Sequence, residues 1–129
     1  MRILKIKQTK VTPKVEFDSI NNTLTFEGKI LCDNTPEFFE PINNWLQEYE
    51  LEAADKTALN FSLEYLNTSS SKYLLNMLKR FEKLNQGGKK VEVNWNYEAD
   101  DDDIKEAGED FHQMVDMPFT FVEKEEFVD

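Results

Sequence analysis

Alternation of apolar and polar residues dominates several stretches of this chain. "VEFDSINNTLTFEGKI" reads as two strands, Lys14–Asp18 and Thr23–Ile30, joined across Asn21-Asn22, a pair that tolerates left-handed backbone. "TALNFSLEYLN" sets Leu59, Phe61, Leu63 and Tyr65 against Asn60, Ser62 and Glu64, which predicts a strand with one buried face. "KVEVNWNYEA" repeats the pattern with Val91, Val93, Trp95 and Tyr97, and "FTFVEKE" adds a short strand near the end. Between these runs the period changes to that of a helix. After Asn34 or Thr35 as cap and Pro36 in the first turn, Phe38, Ile42, Trp45, Leu46 and Tyr49 fall on one face. Leu74, Leu75, Leu78, Phe81 and Leu84 form a second such face, closed by Gly87-Gly88. Ile104, Ala107, Phe111 and Met114 form a third, which Pro118 stops.

The order is β-β-α-β-α-β-α-β. Strand–helix–strand units imply crossovers of one hand and a mixed, mainly parallel sheet. Strands of a sheet covered on both faces read as continuous apolar runs, whereas these alternate. The pattern therefore predicts an α/β two-layer sandwich, with all helices on one face of the sheet and the other face polar. The 129 residues, 40% of them hydrophobic and ten of them Phe, suit a single domain spanning residues 1–129.

Charge and cysteine usage narrow the function. A net charge of −11 disfavours nucleic acid and anionic membrane surfaces and favours partners with basic patches. No apolar run approaches the roughly 20 residues of a membrane span. The opening "MRILKIKQTK" interleaves its apolar residues with lysines, unlike a secretory signal. Cys32 is the single cysteine, so neither an internal disulfide nor a cysteine-built zinc site is expected. A cytoplasmic protein without a cofactor is the expectation.

Catalytic signals are sparse. His112, the single histidine, has no accompanying Ser or Cys motif and reads as structural or exposed. Cys32 precedes a helix cap without a base beside it and reads as a buried or merely tolerated thiol. P-loop, dinucleotide and zinc-protease motifs are all missing from the sequence, and no enzyme is expected. The acidic stretch "YEADDDDIKEAGEDF" lacks the alternation and central glycine of a calcium loop. Two or three of its acids suit a helix start. The excess reads either as a solvated face or as a docking patch.

The segment "LNTSSSKYLL" is the most informative. Asn67, Thr68 and Ser69 fall between the end of a central strand and the first turn of a helix, at the carboxyl edge of the parallel sheet, where open α/β folds place their working residues. Thr68 or Ser69 capping the helix, with the other hydroxyls filling exposed first-turn positions, accounts for the segment. So does a phosphoacceptor, whose phosphate the free amides and the positive end of the helix would accommodate. The same edge gathers the other strand-to-helix junctions, which makes Asn34, Thr35, Asn67, Ser70 and the run Asp100, Asp101, Asp102, Asp103 the expected partner-binding residues.

Over nearly its whole length the chain resembles the SiaC family of bacterial regulatory phosphoproteins. The resemblance rests on "TPKVEFD", "DNTPEFFEPI", "LEYLNTSSSK", "VEVNWNYEADDDD" and "EAGEDF", in that order. It implies a STAS-like fold similar to anti-sigma-factor antagonists, and a switch rather than an enzyme. In such a switch a serine/threonine kinase phosphorylates the hydroxyl segment and a PP2C-type phosphatase reverses it. The unphosphorylated form binds and activates a diguanylate cyclase, which governs cyclic-di-GMP and biofilm formation. By position the acceptor falls on Thr68, with Ser69 as second choice. Cys32 stands where the family pattern suggests proline. A constitutive scaffold or dimerisation module without phosphoregulation is the alternative.

Overall fold

A computed structural model describes residues 3–127. Residues 1, 2, 128 and 129, which the sequence reading includes in the domain, lie outside the described residues. The elements are β1 (Leu4–Ile6), β2 (Lys14–Asp18), β3 (Thr23–Ile30), α1 (Thr35–Leu51), β4 (Lys56–Leu66), α2 (Thr68–Gln86), β5 (Lys90–Glu98), α3 (Asp102–Met114) and β6 (Phe119–Lys124). One element exceeds the expected order. β1 is three residues long, and its alternation with lysines had been read only as evidence against a signal segment. Leu4 and Ile6 pair with Phe17 and Val15 in register and pack against the core, so the stretch closes the sheet edge.

The six strands lie in sequence order, β1-β2-β3-β4-β5-β6. β1, β2 and β3 pair antiparallel, and β3 to β6 pair parallel. That order explains the two layers. Crossovers of one hand that all move in the same direction across a sheet deposit their helices on the same face. The buried face of β3 is Leu24, Phe26 and Ile30, and that of β5 is Val91, Val93, Trp95 and Tyr97. The opposite face carries Thr25, Asn60 and Asn94 side by side in register, with Asn94 Nδ2 donating to Asn60 Oδ1 at 2.8 Å.

Aromatic rings fill the space between the layers. Phe26, Phe61 and Trp95 share one register row, with centroids 5.4 Å and 5.1 Å apart. Phe17 joins the row to Trp45 of α1, and Phe111 of α3 meets Trp95 edge-on. Three helix positions depart from the sequence reading. Phe39, not Phe38, is the buried member of the Phe pair in α1. Met77 joins the buried face of α2. In α3 the fourth expected apolar position, Met114, is half exposed, and the helix instead buries Gly108 against Trp95.

Several polar groups between the layers are paired. The Tyr49 hydroxyl and Thr57 Oγ1 lie 2.7 Å apart in the core. Arg80 of α2 ties α1 through Glu50 and Asn43. The β2–β3 turn closes on Asp18, whose carboxylate accepts from the Ile20 and Asn21 amides at 2.8 and 3.1 Å, with Asn22 at φ 58. These bonds hold the Asp18 pKa below its ordinary value, the Asn21 amide being the largest cause.

Candidate functional site

Two helix starts meet at the carboxyl edge. Asn34 caps α1: its side-chain oxygen accepts from the Glu37 amide at 3.2 Å, and its Nδ2 donates to the Glu37 carboxylate at 3.0 Å. Pro36 follows in the first turn, where its missing N–H costs nothing. Asn67 caps α2, with Oδ1 accepting from the Ser70 amide at 3.1 Å. The cap is therefore neither Thr68 nor Ser69. Asn is among the strongest cap residues, and placing it one residue earlier leaves the hydroxyls to the first turn. Asn67 also fastens the edge, because its own amide donates to the Ile30 carbonyl of β3 at 3.0 Å.

The four hydroxyls that follow have different fates. Ser70 is fully buried, and its hydroxyl lies against the thiol of Cys32 without a well-formed hydrogen bond. Ser71 Oγ donates to the Asn67 carbonyl at 3.3 Å. Ser69 Oγ lies 3.0 Å from Thr35 Oγ1, a bond that joins the first turns of the two helices. Thr68 is exposed, and its hydroxyl has no hydrogen-bond partner among the described residues. Two expected contact residues point the other way from the expectation. Ser70 and Thr35 are buried, at 0% and 4% exposure, because a helix first turn faces its own core on one side.

The acidic run begins α3. Asp101 caps it, accepting from the Ile104 amide at 3.0 Å, and Asp102 and Asp103 occupy the first turn, where carboxylates complement the helix dipole. Asp100 and Asp101, with Glu98, Glu125 and Glu126, line a hollow of about 290 Å³. This cluster sits at the end of β5, the strand next to β4. It makes no hydrogen bond or ion pair to Asn34, Thr35 or the Asn67–Ser71 segment among the described residues. The edge thus holds two adjacent features rather than one fused site. Among the described residues no group of acids, His or Cys could hold a metal ion.

The two residues considered for catalysis have structural surroundings. Cys32 is buried, and burial pushes its thiol pKa up, with the Ser70 hydroxyl partly opposing that shift. His112 stacks on Phe119 with centroids 4.9 Å apart, on the exposed side of α3. A cavity of about 540 Å³ opens at the opposite, amino edge, where Lys56, Asn85 and Lys90 contribute to its wall. No helix among the described residues is long and apolar enough to cross a membrane.

A residue outside the expected set also stands at this edge. β3 and β4 pair residue for residue up to Gly28↔Leu63, and the next pair is Lys29↔Tyr65. Glu64 is bulged out, so Leu66 returns to the core face and Tyr65 turns to the open face, where it is 50% exposed. Two adjacent apolar residues, Tyr65-Leu66, at the end of an alternating run are the one sign of this slip in the sequence.

The family model for SiaC family regulatory phosphoproteins matches residues 6–124. The chain belongs to the SiaC family. An uncharacterized protein of Pseudomonas aeruginosa strain UCBPP-PA14 is 29% identical over 119 residues, covering 92% of this chain and 94% of that protein. Solved SiaC of P. aeruginosa superposes with a TM-score of 0.89 at 28% identity, covering 96% of this chain and 100% of the other. A second solved structure holds the diguanylate cyclase SiaD in complex with its activator SiaC from P. aeruginosa. Its matching chain has a TM-score of 0.87 at 28% identity, with coverage of 94% and 99%. The family is one of regulatory phosphoproteins, and this chain shares its α/β fold from edge to edge.

Proposed function

We propose that this protein is a phosphorylation-switched activator of a diguanylate cyclase, acting in the cytoplasm and carrying no catalytic activity of its own. The observation that carries the reading is the full-length likeness to the SiaC chain solved in complex with the cyclase it activates. In the unphosphorylated state the carboxyl edge docks on the cyclase. A serine/threonine kinase places a phosphate on Thr68, and a PP2C-type phosphatase removes it.

The local geometry supports Thr68 over its neighbours. A kinase needs a hydroxyl that it can reach and that is not already engaged. Thr68 meets both conditions, whereas Ser70 is buried and Ser69 and Ser71 are held in hydrogen bonds. Ser69, exposed but bonded to Thr35, remains the second choice. A phosphate would add about −1.5 to −2 charges at the positive end of α2, which favours rather than unfolds the helix. Its effect would fall on the docked surface, through repulsion and the cost of burying the added charge.

The test pairs labelling with output. Each diguanylate cyclase encoded in the native genome is purified and assayed for cyclic-di-GMP synthesis with and without the protein. The expected result is stimulation by the unmodified protein that is lost on phosphorylation by the native kinase, and a Thr68→Ala variant that takes up no phosphate and keeps the stimulation. Phosphate incorporation into Thr68→Ala at the wild-type level would refute the acceptor assignment. Failure of every cyclase to respond would refute the activator reading.

A further inference from the structure

We propose that Tyr65 is the anchor by which the cyclase docks on the carboxyl edge, seated between a basic and an acidic flank. The inference rests on the activator reading above and adds the residue and the chemistry of the surface it fits.

The backbone around Tyr65 is irregular on both strands. Bulges in parallel pairs are rare, and they cluster where a side chain must be re-aimed beside a functional site. Here Glu64 has no partner across the strand pair, and Gly28, opposite, has φ +106, a conformation that side chains seldom adopt. A Cβ at Gly28 would meet only the tip of the exposed Gln8 side chain, which can swing aside, so it is the backbone conformation that favours glycine here. Unbulged, β4 would continue its alternation and place Tyr65 on the helix face after Phe61 and Leu63. The slip instead presents its ring to solvent. Leu66 takes the core position in its place.

An aromatic ring held on a central strand suits an interface anchor. It supplies a large contact area and a polar tip, and it has little conformational freedom to lose on binding. Its position couples it to the switch, since Tyr65 precedes the cap Asn67 by two residues and Thr68 by three. A phosphate on Thr68 would have to be desolvated together with the ring.

The flanks carry opposite charge. Lys29 neighbours Tyr65 in register, and Lys7 and Lys10 lie exposed in the segment after β1, which reaches the end of β3 through the bond from the Leu31 amide to the Val11 carbonyl. None of these lysines makes an ion pair among the described residues, in a chain of net charge −11. On the other flank lies the acidic hollow of Glu98, Asp100 and Asp101. The complementary cyclase surface is therefore an apolar pocket for a tyrosine, with acidic groups on one side and basic groups on the other. Such an arrangement fixes orientation as well as partner.

Tyr65→Ala and Tyr65→Phe are titrated into the cyclase that wild-type protein activates, with cyclic-di-GMP synthesis as readout. Melting temperature and kinase labelling of Thr68 are followed in parallel. The expected result is a rise of about 30-fold or more in the half-activating concentration of Tyr65→Ala, as for an interface hot spot. Tyr65→Phe stays within about 3-fold, and both variants melt and label as wild type. If Tyr65→Ala melts early, Tyr65→Gln, which keeps the length without the ring, is read in its place. A half-activating concentration unchanged in the ring-less variant, with wild type active, overturns the anchor and leaves the activator reading intact. A wild-type protein that activates no cyclase overturns both.

Discussion

Replacing Gly108 by Ala sets two effects of opposite sign against each other. Gly108 lies inside α3, where glycine costs about 1 kcal/mol relative to alanine, so helix propensity alone anticipates a gain. The structure argues the reverse. A Cβ at this position would lie 2.7 Å from Trp95 Cε2 and closer still to Nε1 and Cδ1, distances that real Cβ atoms do not show. The indole cannot retreat. It is fully buried, its Nε1 donates to the Ile104 carbonyl at 2.8 Å, and Phe61 and Phe111 hold it from two sides. Either α3 shifts, at about 1–3 kcal/mol for overpacking, or the buried indole bond is lost, at about 1–3 kcal/mol. Less the propensity gain of about 1 kcal/mol, the net is a destabilisation of up to about 2 kcal/mol, or a fall in Tm of up to about 5–10 °C for a domain of this size. Circular dichroism melts and urea titrations of wild type and Gly108→Ala measure it. The same pair in a Trp95→Phe background supplies the control, because a smaller ring without the N–H relieves the collision. There the cost of the alanine should shrink or turn to a gain. A Gly108→Ala protein at least as stable as wild type in the Trp95 background would refute the reasoning.

The remaining predictions concern single groups. Asp18 has a depressed folded-state pKa, so its contribution is present above the unfolded-state value and is lost as pH falls through the folded one. Wild type should therefore exceed Asp18→Ala in melting temperature near neutral pH, and the gap should shrink as the pH falls; a gap that widens as the solution is acidified would exclude this role. Cys32 should resist a thiol reagent such as DTNB in the folded protein and react fully after denaturation, since burial both shields the sulfur and disfavours the thiolate. Rapid native-state labelling would contradict the packing at the start of α2.

Where the sequence was legible, periodicity made it so. The bounds of β2 and β3 match the alternation residue for residue, and α2 ends at the expected Gly87-Gly88, with Gly88 at positive φ. What escaped was local geometry that periodicity does not encode. β1 is too short to establish a period. Phe38 and Phe39 are equally apolar, and only the phase of α1 against the sheet selects Phe39. Tyr65 keeps the expected period in sequence while the bulge at Glu64 reverses its face. At the candidate site the junctions were located correctly, but the cap of α2 and the burial of the first turns were not legible. Asn67, rather than a hydroxyl, caps α2, and Thr35 and Ser70 turn inward. A cap and a first turn look alike in a row of small polar residues, and burial on one side of that turn is decided by the neighbouring helix.

That allocation answers why so many hydroxyls precede α2. With Asn67 satisfying the Ser70 amide, no hydroxyl is needed as a cap. Ser71 back-bonds to the Asn67 carbonyl, Ser69 ties α2 to α1 through Thr35, and Ser70 packs fully buried beside Cys32. Three of the four thus build and brace the junction, and one stands free on its outer side. On the proposed reading this division is what a surface switch requires. The modified group belongs to no structural bond, so adding a phosphate disrupts none. The helix end beneath it already favours negative charge. The domain would keep its fold in both states, and the difference between them would be confined to the charge beside Tyr65, at the edge where the partner docks.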